Sequence, residues 1–207
     1  MLLVLDLDRT VCRFPATTRL YKRLCLQPMS LAPALWGLTM LFLMHVLWFF
    51  SPAVRLQRRI VMSLLSRVEP ARFQQALEAL VEEVVEDWRL GLGADLAPLL
   101  EQAEAVYIVS HCPQPLGEAV AARLGFQGAR TVPVRDYLGG ASGDVYDKVQ
   151  ALGELKAAHP GLRVVAYADD LVDLGLLNAA DEGTLVNGSW FSRSVCRLAF
   201  PGIRIVA

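Results

Sequence analysis

Three observations predict an α/β fold whose parallel sheet is covered by helices on both faces. From residue 104 onward the chain alternates short apolar runs with helical segments, the pattern of strand, helix, strand. The runs are continuously apolar rather than alternating, as strands buried on both faces are. Asp6, Ser110 and Asp169 stand where three of these runs stop. Aspartate is a poor strand residue and is seldom buried unpaired. Polar groups at strand ends therefore mark the carboxyl edge of the sheet, where open α/β folds place their chemistry.

The elements follow in order. Met1 to Leu5 is the first strand, fit for the centre of the sheet. Residues 70–90 carry Phe73, Leu77, Leu80, Val81, Val84 and Trp88 at helical spacing. "GLGADL" breaks that helix and opens another. "AVYIVSH" is a strand, and "PQPLGEAVAARLG" a helix opened by proline and closed by glycine. "ARTVPVRD" is a short strand and "GGASGD" a turn. The helix "YDKVQALGELKAAH", the strand "LRVVAYADD", the helix "LVDLGLLNAA" and the strand "GTLVNG" come next. "FSRSVCRLAF" and "IRIVA" complete the alternation.

The 207 residues suit one domain, or one domain with an inserted lobe. Hydrophobic residues make up 54%, above the ordinary soluble range, and mean hydropathy is +0.38. The excess is local. Leu24 to Val54 is a run of 31 residues without Asp, Glu, Lys or Arg, flanked by Arg19, Lys22 and Arg23 before and by Arg55, Arg58 and Arg59 after. The net charge of -1 argues against nucleic acid as a partner. Cys12, Cys25, Cys112 and Cys196 form no metal-ligand pattern with histidine and read as reduced thiols. The apolar start ends at Asp6, too soon for a signal peptide.

Placed side by side, the strand ends make a site. Asp6 and Asp8 come from the first, Ser110 from the second, and Asp169, Asp170 and Asp173 from "YADDLVD"; Lys148 heads a helix between the last two. Clustered carboxylates repel one another unless a cation sits among them. Oxygen ligands select a hard ion, and Mg²⁺ is the usual choice beside phosphate. Lys148 offers such an anion a point charge and Ser110 a hydrogen bond. The helix opening at "PQPL" would aim free amides at it.

These motifs are similar to those of haloacid-dehalogenase-superfamily phosphatases. "DLDRT" matches D-x-D-x-T, Ser110 in "IVSHCP" the second motif, Lys148 in "GDVYDKVQAL" the third and "YADDLVDLGLL" the fourth. The resemblance implies a Rossmann-like three-layer α/β/α core built from residues 1–11 and 104–207. It implies Asp6 as nucleophile, forming an aspartyl-phosphate, and Asp8 as general acid and base. Mg²⁺ would be held by Asp6, the Asp8 carbonyl and Asp169. Asp173 would position ligands or Lys148, and Asp170 would join the metal or cap the next helix. Thr10, Ser110, His111, Lys148 and Arg9 are the phosphate-holding candidates. Arg9, Ala168 and Asp170 depart from the family's usual glycine, glycine and serine. Arg9 either meets substrate phosphate or is a solvated loop charge. His45 and His159 read as structural, and the acid run Glu82–Asp87 as a solvated helix face.

Residues 12–103 resemble the all-helical C1-type cap of the phosphoserine-phosphatase-like branch, subfamily IB, which closes over the site. A single membrane crossing by the uncharged segment 24–54 would separate strands that must pair, and two crossings need about 40 residues. Basic clusters at both ends place both ends on the cytoplasmic side. The expectation is a re-entrant or interfacial hairpin at a bacterial inner membrane, with the basic residues as flanks or lipid contacts. The texture of "SHCPQPLGEAV" and "YKRLCLQPMSLAPALWGL" is similar to the C-type phosphatidylglycerophosphate phosphatases of this superfamily, which implies a lipid phosphate substrate. Two other readings stand beside it: a soluble-metabolite phosphatase whose apolar cap dimerises, and a non-catalytic membrane scaffold or regulator.

Overall fold

The computed structural model describes residues 1–26, 39, 68–133 and 147–206. The expected apolar hairpin in segment 24–54 and the expected turn at 139–144 lie outside the described residues, apart from single positions of the former. Among the described residues, no helix is long and apolar enough to cross a membrane.

The strands are β1 (Leu2–Leu5), β2 (Ala105–Pro113), β3 (Gly128–Val132), β4 (Val164–Ala168), β5 (Glu182–Val186) and β6 (Arg204–Val206). The helices are α1 (Ala16–Leu26), α2 (Pro70–Leu90), α3 (Leu92–Asp95), α4 (Ala97–Gln102), α5 (Gln114–Leu124), α6 (Lys148–Ala158), α7 (Leu174–Ala179) and α8 (Trp190–Ala199). All six strands are parallel, in the order β3-β2-β1-β4-β5-β6. The order reverses direction at β1, so a crevice opens at the carboxyl ends of β1 and β4, where such sheets bind ligands. Leu2 sits opposite Ala105 on one side and Val164 on the other.

The alternation of β1 divides the core into two layers. Leu3 and Leu5 point into a cluster with α1, α2 and α5, while Leu2 and Val4 point into one with α6, α7 and α8. All four are fully buried, and each such side chain contributes about 1.5–3 kcal/mol on leaving water. The α/β/α layering expected from the apolar runs is therefore present. The apolar stripe of α2, including Leu80, Val84 and Trp88, belongs to the same cluster as Leu3 and Leu5. So do Ala16 and Leu20 of α1. These helices fall within the 12–103 stretch assigned to an insert, and their apolar residues join the core cluster of Leu3 and Leu5.

Local chemistry sets the helix ends. Gly125 adopts φ +73 after α5, letting the Phe126 amide reach the Ala121 carbonyl at 2.9 Å. Gly117 brings α5 close to the sheet, since a Cβ there would lie 2.5 Å from the Thr131 methyl. Asp147 caps α6, accepting from the amides of Val149 (2.8 Å) and Gln150 (3.4 Å). The helix expected over 171–180 instead opens with a 3-10 turn, Leu171–Asp173, before α7.

Candidate active site

The chain turns as soon as β1 ends. The Leu7 carbonyl accepts from the amides of Thr10 (3.4 Å) and Cys12 (3.2 Å), and the Asp6 carbonyl from Val11 (3.2 Å). Asp6 is held at the strand end by its own amide, which donates to the Tyr167 carbonyl of β4 at 2.9 Å. Asp8 lies beyond the strand, as expected, and its carboxylate accepts from the Thr17 amide in the first turn of α1 at 3.0 Å. Burial, and the charge of Asp6, push the Asp8 carboxyl up to about 6, against the pull of that amide. Thr10 is buried and its hydroxyl has no hydrogen-bond partner.

Lys148 joins the strand ends. Its ammonium donates to Asp6 Oδ1 at 2.6 Å and to Asp173 Oδ1 at 2.5 Å. All three groups are buried. The 3-10 turn carries Asp173 from the end of β4 to this lysine, which is what the shortened helix achieves. Burial alone would lower the Lys148 pKa, but its two carboxylate partners outweigh that and hold it well above the ordinary value. Asp169 is buried and is pushed up to about 8, by desolvation first and then by Asp6. The same causes raise Asp173 to about 7 despite Lys148.

Asp6, Asp169 and Asp173 offer carboxylate oxygens that lie within 4.8 Å of one another. Three buried acids face one lysine, so the cluster lacks positive charge. Its donors are oxygen only, the chemistry suited to a hard divalent ion such as Mg²⁺. The residues present therefore fit the expected cation, with Asp173 committed to Lys148.

The other predicted residues are not members of that trio, but Arg9 and Asp170 stand close enough to act on the Asp169 carboxyl. Ser110 is buried near the carboxyl end of β2, where the register with β3 shifts between Val109 and Pro113. Such an irregularity re-aims side chains beside a site, and the Ser110 hydroxyl accepts from the Cys112 amide at 3.4 Å. His111 follows it, half-buried. Arg9 is exposed and left-handed at φ +59, which explains the usual glycine there; its carbonyl accepts from Asn187 Nδ2 at 2.9 Å. Asp170 caps the 3-10 turn, accepting from the Leu171 amide at 2.6 Å, and stands outside the acidic trio. The capping contact, one of its two expected roles, is present. Cys12, Cys112 and Cys196 are free thiols.

The acid run is not merely a solvated face. Asp87 accepts from the Arg13 amide (2.6 Å) and from its guanidinium (2.9 and 2.7 Å). Burial raises the Asp87 carboxyl, but these bonds overcome it and leave the pKa below its ordinary value. Glu83 pairs with Arg19 and Arg23, and Glu82 with Arg123. Arg19 and Arg23 thus bind α2. Sequence reasoning missed the Arg13–Asp87 bond and the Asn187 tether. Their spacings of 74 and 178 residues leave no local signal.

The family model described as haloacid dehalogenase-like hydrolase matches residues 3–178. No curated protein matches the sequence. A solved structure of a Bordetella pertussis Tohama I protein of unknown function is similar at a TM-score of 0.75 and 16% identity, covering 100% of this chain and 97% of that one. A haloacid dehalogenase-family hydrolase from Salmonella enterica serovar Typhi gives 0.66 and 15%, covering 93% and 64%. A phosphoserine phosphatase in apo form gives 0.58 and 15%, covering 93% and 89%.

Proposed function

Because the chain belongs to the haloacid dehalogenase-like hydrolase family, we propose that it is a Mg²⁺-dependent phosphomonoesterase working through an aspartyl-phosphate on Asp6. The observation that carries this is the bridge from Lys148 to Asp6 and Asp173, beside Asp169, at the crevice of the sheet. Lys148 holds Asp6 through Oδ1, which leaves Oδ2 free to attack phosphorus. The phosphorus–oxygen bond to the leaving group breaks, and Asp8 gives its proton to the departing oxygen. Water then attacks the phosphoryl group on Asp6, Asp8 takes the proton from that water, and phosphate leaves with Asp6 restored. Thr10 and Ser110 supply hydroxyls to the phosphoryl oxygens, and Lys148 orients Asp6. Asp6, Asp169 and the Asp8 carbonyl would hold Mg²⁺, which would supply positive charge against the repulsion between carboxylate and phosphate.

The substrate class proposed is a lipid phosphate, presented at the cytoplasmic face of a bacterial membrane. The support is the uncharged sequence Leu24–Val54 with its basic flanks, which a water-soluble insert does not need. Phosphatidylglycerophosphate is one lipid of this class. The second reading is a soluble phosphoserine-like metabolite, favoured by the likeness to phosphoserine phosphatase. A panel of lipid and soluble phosphates in detergent, with Asp6→Asn as the control, separates them. Turnover confined to lipid phosphates supports the first reading and turnover of soluble phosphates alone the second. Normal hydrolysis by Asp6→Asn overturns the mechanism.

A further inference from the structure

Helix α8 leaves an apolar face uncovered. Its buried side is narrow, Ser192 and Cys196. Trp190, Phe191, Arg197 and Leu198 stand at i, i+1, i+7 and i+8, on one side of the helix. Trp190 is 76% exposed, Phe191 53% and Leu198 87%, and Arg197 is exposed as well. The two aromatic rings pack edge to face, with centroids 5.9 Å apart. Large apolar side chains grouped in this way on a small domain mark a contact surface.

Charge identifies what the surface fits. The chain carries a net charge of -1, yet no Asp or Glu follows Glu182. Arg204 is paired with Glu182 at 3.6 Å. Arg193 and Arg197 make no ion pair among the described residues, and the Arg193 Nε is buried without a partner. A helix with tryptophan and phenylalanine outward, Arg197 exposed beside them without an ion pair among the described residues, and no acid of its own is suited to an anionic lipid surface.

Position ties the surface to the site. α8 begins at the carboxyl end of β5, the catalytic end of the sheet. Its cap residue Ser189 follows Asn187, which holds the Arg9 carbonyl in the Asp6–Asp8 loop. The Ser192 hydroxyl donates to Asp170 at 3.4 Å, beside Asp169. We propose that the outward face of α8 is a docking surface for an anionic membrane and sets the Asp6 crevice down at the lipid headgroups. This rests on the lipid-phosphate reading for its purpose, but it stands on the core and not on segment 24–54.

The test uses the full chain, with vesicles of phosphatidylglycerol and of phosphatidylcholine and no turnover. Flotation of the native protein is expected with phosphatidylglycerol and much less with phosphatidylcholine. Trp190→Ser with Phe191→Ser, and separately Arg197→Gln, are expected to weaken binding to phosphatidylglycerol at least 10-fold and several-fold respectively. Melting temperature and hydrolysis of p-nitrophenyl phosphate should not change. Binding of the double variant equal to the native protein's overturns the proposal, as does equal flotation on both lipids. So does a native dimer that the double variant makes monomeric, because a second copy would then cover this face. Failure of the native protein to hydrolyse any lipid phosphate would defeat the substrate reading while leaving the binding result intact.

Discussion

Replacing Lys148 by methionine removes the one buried cation that faces three buried carboxyls. The ammonium lies 2.6 Å from Asp6 and 2.5 Å from Asp173, with Asp169 in the same cluster. Breaking a buried pair by deleting one partner costs about 3–5 kcal/mol, because the remaining charge is uncompensated. For a chain of this size that is a fall in melting temperature on the order of 10 °C. The loss should depend on pH with a fixed sign. Asp169 and Asp173 already have carboxyls raised to about 8 and about 7 by burial and by Asp6. Groups raised above their unfolded values favour folding when protonated and lose that contribution as pH rises through the folded value. Without Lys148 the deficit should therefore grow between pH 6 and pH 8. Mg²⁺ should reduce it, since a ligand present at about 100 times its dissociation constant returns about 2.7 kcal/mol. The assay is thermal melting of native protein and variant at both pH values, with and without Mg²⁺. A variant that melts within 2 °C of the native protein at pH 8, or a gap that Mg²⁺ leaves unchanged, would refute the reasoning.

Three further outcomes are expected. Asp8, with its carboxyl near 6, should make turnover of alkyl phosphates decline as pH rises above that value; p-nitrophenyl phosphate, whose leaving group needs no proton, should show no such limb in a pH–rate profile. Asp87→Ala frees the Arg13 amide and guanidinium and is expected to destabilise the fold only modestly, because Arg13 is solvent-exposed; chemical denaturation reads it, and the loss should shrink as acid protonates Asp87 in the native protein. Arg9→Gly relieves a left-handed arginine and should stabilise the fold by about 1 kcal/mol, measured by the same denaturation.

What was legible in the sequence was what local chemistry writes there. Asp6 and Asp169 ended apolar runs, so their place at the carboxyl edge followed from polarity alone. Lys148 was legible through its motif, and the order of strands and helices through apolar texture. Contacts made across the chain were not legible. Asp87 looked like one acid among several on a helix face, because nothing near residue 87 shows that the Arg13 amide approaches it. The bond from the Leu171 amide to Asp170 depends on backbone geometry that the sequence does not display. The 3-10 turn could not be read from "LVDLGLL", since it exists to carry Asp173 back to a lysine 25 residues earlier. Arg9 departed from the usual glycine, and the positive φ behind that preference is a property of the turn.

Helices α1 and α2 frame the least regular part of the sequence. Arg13 meets Asp87 while Arg19 and Arg23 meet Glu83, so ascending residues of one partner meet descending residues of the other. The chain between them departs from and returns to one clasped pair that is itself bedded on the sheet. A clasp of this kind works as a socket: its fittings are fixed from inside, and the length and chemistry of what is plugged into it are free to change. The acidic strand end at Asp6 stays where β1 leaves it, whatever sequence the clasp holds.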